Sequence, residues 1–191
     1  MRMVIASEFV SADGCIAGPN GGMSWVRKNL NEEMGRYARD LMASMDAVML
    51  GRATCQTMAG AWPNPTEERS PGADKMNGAP KYALSRTLEK APWGSYEPAT
   101  MIGGGFERKV PELKERPGRN TAIYGSANAV RSPTRSGPMD EHELLVHPVF
   151  LGEGEALFRQ MERPVDLRLA RTQTYRIGVS APSYEPVSSG A

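Results

Sequence analysis

The chain has 191 residues, with 23 Lys or Arg against 22 Asp or Glu, a formal net charge of +1. That balance argues against the global field used by nucleic-acid or anionic-membrane binders, and points to a small-molecule partner. Two cysteines, Cys15 and Cys55, in unlike contexts argue against a disulfide framework or a zinc site and fit reduced thiols in the cytoplasm.

The first residues, Met1-Arg2-Met3-Val4-Ile5-Ala6, read as the start of a strand and lack the apolar run and cleavage site of a signal sequence. No stretch approaches the roughly 18 apolar residues of a membrane span. Residues 3–10 are apolar and β-prone, Asp13-Gly14 breaks the run, and Cys15-Ile16-Ala17 resumes it before the mobile loop Gly18-Pro19-Asn20-Gly21-Gly22. Residues 31–45 place Met34, Tyr37, Ala38, Leu41, Met42 and Met45 at three- and four-residue steps, predicting an amphipathic helix that feeds a buried strand at 47–50.

Residues 62–78, rich in Pro, Gly, Asn and charge, predict a long surface loop bordering a pocket. Short strands are expected at 81–84, 100–102 and 121–124, with a helix at 106–116. Alternating strands and helices predict an α/β protein with a largely parallel sheet covered on both faces. Towards the C-terminus, 143–150, 165–174 and 175–184 are strand-like with a short helix at 156–161, which adds an antiparallel edge to a mixed sheet. Residues 186–191 read as a frayed tail. No repeat or linker divides the chain, so 1–185 read as a single domain.

In the segment Ala47-Val48-Met49-Leu50-Gly51-Arg52-Ala53-Thr54, an apolar strand stops at a Gly-Arg pair where a helix begins. A helix N-terminus offers unpaired N–H donors and partial positive charge, and a guanidinium matches phosphate oxygens. Alone, the segment is equally an ordinary turn with Arg52 in solvent. Two further strand ends, Ser85-Arg86-Thr87 and Gly125-Ser126-Ala127, carry related chemistry, and ligands of open α/β sheets bind beyond the carboxyl ends of strands. Small residues admit a pyrophosphate, and Arg52 with Arg86 could share a 2′-phosphate, which favours NADP(H) over NAD(H).

With Ser11-Ala12-Asp13-Gly14-Cys15-Ile16-Ala17-Gly18-Pro19, Pro80-Lys81-Tyr82-Ala83-Leu84-Ser85-Arg86-Thr87-Leu88, Ile123-Tyr124-Gly125-Ser126-Ala127, Asp140-Glu141 and Leu145-Val146-His147-Pro148-Val149-Phe150-Leu151-Gly152-Glu153-Gly154, the sequence resembles a known family. It is similar to the dihydrofolate reductase-like reductases, specifically the stand-alone bacterial proteins related to the reductase domain of riboflavin biosynthesis. The resemblance implies a three-layer α/β/α fold, NADPH as hydride donor and a homodimer. In family terms Gly51, Arg52 and Thr54 with Ser85, Arg86 and Thr87 hold the adenosine side of the cofactor, and Gly125, Ser126 and Ala127 face the pyrophosphate. The loop from Ala17 to Trp25 would lie near the nicotinamide and close over substrate, excluding water.

The implied reaction is hydride transfer to a small planar heterocycle, pterin-like or pyrimidine-like, for which the site must align the reactants and supply a proton. Glu33, beside Glu32, lies roughly where dihydrofolate reductases place their acidic residue; the alternative is charge compensation at a helix start. Asp13 contacts substrate or only shapes its Asp-Gly turn. Trp25 and Trp62 stack on a flat ring or fill core. His147, beside a proline, reads as an edge or interface histidine.

Two alternative functions stay open. One is the riboflavin-pathway reductase acting on a ribosylamino-pyrimidine phosphate, with Arg36 or Arg39 for the phosphate. The other is a dinucleotide binder without turnover, suggested by Pro133 and Pro138. Interior proline costs on the order of 3 kcal/mol, so the helix after Gly125-Ser126-Ala127 is expected to end near Ser132. Cys55, where an aromatic is usual in the family, is expected to loosen the same region.

Overall fold

The computed structural model describes residues 2–64, 72–104, 106–159 and 161–187. Strand β1 (Val4–Ser11) lies inside the sheet because it can be buried on both faces: Val4, Ala6 and Val10 pack one way, Ile5 and Phe9 the other. Next in the chain come β2 (Cys15–Ala17), the short α1 (Ser24–Arg27) and α2 (Glu32–Ser44). The side chain of Asn31 accepts from Met34 N–H at 3.0 Å and so caps α2, whose apolar stripe turns Met34 and Met42 inward. Then follow β3 (Met45–Gly51), α3 (Arg52–Ala61), α4 (Ala73–Gly78), β4 (Lys81–Leu84), β5 (Thr100–Ile102), α5 (Phe106–Glu115), β6 (Asn120–Tyr124) and α6 (Ala127–Ser136). The chain closes with β7 (Glu141–His147), β8 (Glu155–Ala156), β9 (Leu167–Thr174) and β10 (Ser180–Pro186).

The sheet order is β5-β4-β3-β6-β1-β7-β10-β9, parallel from β5 to β7, with β10 and β9 antiparallel at the far edge. Alternation along β3 separates the layers. Ala47 and Met49 join Val110, Leu113, Ala129 and Val130 beneath α5 and α6, whereas Val48 and Leu50 join Met42, Cys55 and Met76 beneath α2, α3 and α4. This is the three-layer, dihydrofolate reductase-like arrangement with an antiparallel C-terminal edge. Strands β2 and β8 pair with each other in a separate two-stranded sheet.

The strand expected at 175–184 begins only at Ser180, because Tyr175 N–H donates to Val179 O at 2.8 Å and closes the β9–β10 turn, and four further local expectations change. Within the loop expected at 62–78, residues 73–78 form α4, held by burial of Ala73, Met76 and Asn77, while 65–71 lie outside the described residues. The helix expected at 156–161 is replaced by β8 and a turn reaching 159, because Leu157 N–H donates to Gly14 O at 2.9 Å and pins the segment to the β1–β2 turn. Pro186 belongs to β10, and residues 188–191 of the expected tail lie outside the described set.

The fourth concerns α6, which does not stop near Ser132 but continues through Pro133 to Ser136. Gly137, at φ +91°, ends it by donating to Pro133 O at 3.0 Å. Pro133 and Thr134 are buried under the sheet and Thr134 Oγ1 donates to Val130 O at 2.7 Å, so tertiary burial offsets the proline's lost bond. Pro138 lies beyond the helix. Cys55 is 1% exposed and packs into the core under α3.

Candidate functional site

Since β4, β3 and β6 are consecutive parallel neighbours, their carboxyl ends emerge side by side on one edge. The three tips interlock there. Gly51 N–H donates to Gly125 O at 2.9 Å, and Arg52 Nη1 donates to Thr87 Oγ1 at 2.8 Å. Ser85 Oγ accepts from Thr87 N–H at 3.2 Å and Leu88 N–H at 2.9 Å, fixing the turn that presents Arg86 to solvent. The closeness demands glycine: a Cβ on Gly51 would collide with Ser126 Oγ, and one on Gly125, at φ +33°, with Thr54 Oγ1.

Helices α3 and α6 both start at this junction, and neither N-cap, Gly51 or Ser126, makes a side-chain capping bond. Ala129 N–H turns back to Ser126 O at 2.8 Å, and the other first-turn amides of these two ten-residue helices meet no capping side chain, beside the exposed guanidiniums of Arg52 and Arg86. This donor set, at a junction packed too tightly for any Cβ at Gly51 or Gly125, suits a diphosphate flanked by a further phosphate. Among the described residues no group of three or more His, Cys, Asp or Glu is placed to hold a metal ion.

One residue escaped the sequence reading. Glu8, on β1, is 7% exposed, and its Oε1 accepts from Gly125 N–H at 2.5 Å. Desolvation raises its pKa to about 8, opposed by the Gly125 amide and reinforced by Glu155. Its signal in the sequence was a single carboxylate inside an apolar strand. Gly125 N–H therefore points inward to Glu8, while Ser126 and Ala127 open α6 outward.

The other candidates spread around this edge. Asp13 commits its carboxylate to Ser11 Oγ at 2.5 Å, Leu151 N–H at 3.1 Å and Gly152 N–H at 2.7 Å, tying the β1–β2 turn to the loop after β7. These bonds hold its pKa down at about 2. A depressed acid stabilises the fold above its unfolded value and loses that contribution as pH falls through the folded one. Asp13→Asn is therefore expected to melt lower than wild type at neutral pH, the gap narrowing between pH ~4 and ~2 in thermal melts. A gap independent of pH would count against this anchoring.

Glu33 sits in the first turn of α2 and its Oε2 accepts from Arg176 N–H at 3.0 Å, bracing the β9–β10 turn. It also lines a groove of about 560 Å³ running along α2 past Tyr37, Asp40, Glu143 and Arg171, which contains no residue of the three tips. Ala17 ends β2 with its carbonyl against Gly154. Trp25 is buried in α1, its ring edge-on to His147 with centroids 5.2 Å apart. Trp62 caps the far end of α3, about 15 Å from Arg52 at the helical rise, so the structure does not bring it to the tips.

His147 is no edge histidine. Strand β7 lies between β1 and β10, and the ring is wholly buried between Trp25 and Phe9. Asn29 Nδ2 donates to its Nδ1 at 3.0 Å, and burial lowers its pKa, keeping the ring neutral.

A three-layer α/β/α protein with a mainly parallel sheet and an antiparallel C-terminal edge has the dihydrofolate reductase-like architecture. The model of the RibD C-terminal domain matches residues 2–180, and the chain belongs to that family. It is 28% identical over 183 residues to the uncharacterized protein YyaP of Bacillus subtilis (strain 168), covering 93% of this chain and 92% of the relative. A putative riboflavin biosynthesis protein from Shewanella sp. PV-4 superposes with a TM-score of 0.75 at 19% identity, covering 97% of this chain and 99% of that one. Dihydrofolate reductase from Enterococcus faecalis, complexed with NADP(H) and RAB-propyl, superposes with a TM-score of 0.62 at 13% identity, covering 96% of each chain. No helix among the described residues is long and apolar enough to cross a membrane.

Proposed function

We propose that this protein is an NADPH-dependent reductase that transfers a hydride to a small planar heterocycle, pterin-like or pyrimidine-like. The observation that carries the reading is the interlocked junction of Gly51, Gly125 and Ser126 with Arg52 and Thr87, at the start of two helices uncapped by side chains. The α3 and α6 amides with Gly51, Thr54, Ser126 and Ala127 would hold the diphosphate, and Arg52 and Arg86, with Ser85 and Thr87 shaping their turn, the 2′-phosphate. Bound NADPH supplies the hydride. The family membership and the dihydrofolate reductase-like fold support an oxidoreductase.

On this reading Asp13 and Glu33 act mainly by position. Asp13 anchors the loop after β7, and Glu33 braces the β9–β10 turn beside the substrate side of α2. Ala17 and Trp25 bracket the loop that closes over substrate, and Trp62 serves the core beneath α3. The case for a binder without turnover weakens because α6 forms despite Pro133. For the riboflavin-pathway alternative, Arg36 lines the α2 groove beside Glu33 and makes only a solvent-exposed pair with Glu32 at 2.9 Å, which a substrate phosphate could replace. The protein is further read as a cytoplasmic homodimer, with β9, exposed along its length, as the surface for a second copy.

NADPH is expected to bind at least about tenfold, or ~1.4 kcal/mol, tighter than NADH, and Arg52→Ala to remove most of that preference. Fluorescence titration measures both. Equal affinities for the two cofactors would defeat the assignment of the 2′-phosphate to these arginines. Loss of reduced-nicotinamide absorbance with dihydrofolate, pterins and pyrimidines then identifies the acceptor class, and no oxidation despite tight binding would favour the binder.

A further inference from the structure

Glu8 connects the interior of the sheet to the proposed diphosphate cradle through one residue. Its Oε1 accepts from Gly125 N–H at 2.5 Å, and Gly125 O accepts from Gly51 N–H at 2.9 Å. A continuous hydrogen-bonded chain thus runs from β1, through the turn that opens α6, to the N-cap of α3.

The titratable groups that act on Glu8 lie on other elements. Glu155, on β8, has the same sign. Tyr124, at the end of β6, is a buried phenol without a hydrogen-bond partner, kept protonated by burial and by the fields of Glu8 and of Glu143 on β7. Arg131, on α6, is committed to the carbonyls of Leu157 and Ala156. Among the described residues no ion pair includes Glu8. The carboxyl is held by one amide and opposed by desolvation, which places its titration at about pH 8.

We propose that seating a dinucleotide's diphosphate on the α3 and α6 helix starts holds Glu8 protonated, drawing up to one proton from solvent, so that cofactor affinity is proton-linked. The inference rests on the cofactor reading above. The diphosphate would arrive on the outer side of the turn whose inner amide Glu8 holds, putting two negative charges across a single, poorly solvated loop. Protonation removes that repulsion at no cost to geometry, because a carboxylic acid keeps an acceptor oxygen for Gly125 N–H. Affinity is then flat below the free protein's titration point and falls by up to about tenfold per pH unit above it.

Calorimetric titration of the wild-type protein with NADPH at about pH 8, in two buffers of different ionisation enthalpy, reads the proton directly. About half a proton is expected to be taken up per cofactor bound. NADH, which lacks the 2′-phosphate, is expected to give the same uptake, assigning the proton to the protein. Glu8→Gln, which keeps an acceptor for Gly125 N–H, is expected to take up none and to bind with pH-independent affinity. Binding without proton uptake, or unchanged uptake in Glu8→Gln, overturns this inference alone. No binding of either cofactor at any pH overturns the cofactor reading and this inference with it. Wild-type binding without proton uptake overturns the inference even if the variant folds poorly.

Discussion

Gly51→Ala is expected to weaken NADPH binding by about 30-fold, equivalent to roughly 2 kcal/mol, and to lower folding stability by about 1–3 kcal/mol. The added methyl would enter space occupied by Ser126 Oγ and Ser126 N, and the short bridge from Gly51 N–H to Gly125 O must lengthen to admit it. The tips would then separate where the diphosphate is proposed to sit. Gly60→Ala is the matched control: Gly60 lies in the same helix, has nothing within 4 Å of an added Cβ, and is exposed. It is expected to stabilise the protein by about 0.5–1 kcal/mol and to leave binding untouched. Urea unfolding and cofactor titration of the two variants test both halves; a Gly51→Ala protein that binds like wild type would show that the junction is not where the cofactor rests.

Arg171→Ala is expected to cost about 2 kcal/mol of folding stability. Arg171 reaches from the edge strand β9 to Glu141 at 2.5 Å and Glu143 at 3.2 Å, carboxylates whose side chains are 4% and 8% exposed. Removing one partner of a buried pair costs roughly 3–5 kcal/mol, and the figure is reduced here because the Arg171 side chain is itself 55% exposed. Ser183 Oγ still donates to Glu141, and Tyr37 O–H to Glu143 at 2.7 Å, which limits the loss further. Glu143→Gln in the Arg171→Ala background is expected to recover about half the deficit, since one of two uncompensated charges disappears. Additive losses in the double-mutant cycle would mean that Arg171 and Glu143 are not coupled.

Much of this fold was legible because its signals are local and periodic. Hydrophobic alternation and three- to four-residue spacing marked β1, α2 and β3, and the Gly-Ser-Ala turn marked the start of α6. The segments misread were those decided by contacts distant in sequence. Residues 73–78 look like loop in isolation, yet Met76 and Asn77 are buried and Asn77 Oδ1 accepts from Trp93 Nε1 at 2.7 Å, so α4 is held from outside. Pro133 reads as a terminator, but the helix is carried past it by burial against the sheet.

The candidate site divides the same way. Its glycines, serines and arginines were visible as residue types at strand ends. Glu8 and His147 were not assigned their places, because nothing local in a strand shows which neighbour lies beside it. Glu8 meets Gly125, and His147 meets Asn29 and Trp25, through contacts spanning more than a hundred residues of chain.

The sequence by itself determined an α/β class with a largely parallel sheet covered on both faces, the order of nearly all its elements and three strand ends rich in Gly, Ser and Arg, since these follow from short-range periodicity and turn stereochemistry. The tertiary structure alone decided that β4, β3 and β6 stand side by side, that Gly51 and Gly125 touch, and that a carboxyl group lies buried beneath them. Strand order and burial are set by long-range packing, where each residue's environment is built by parts of the chain far from it in sequence.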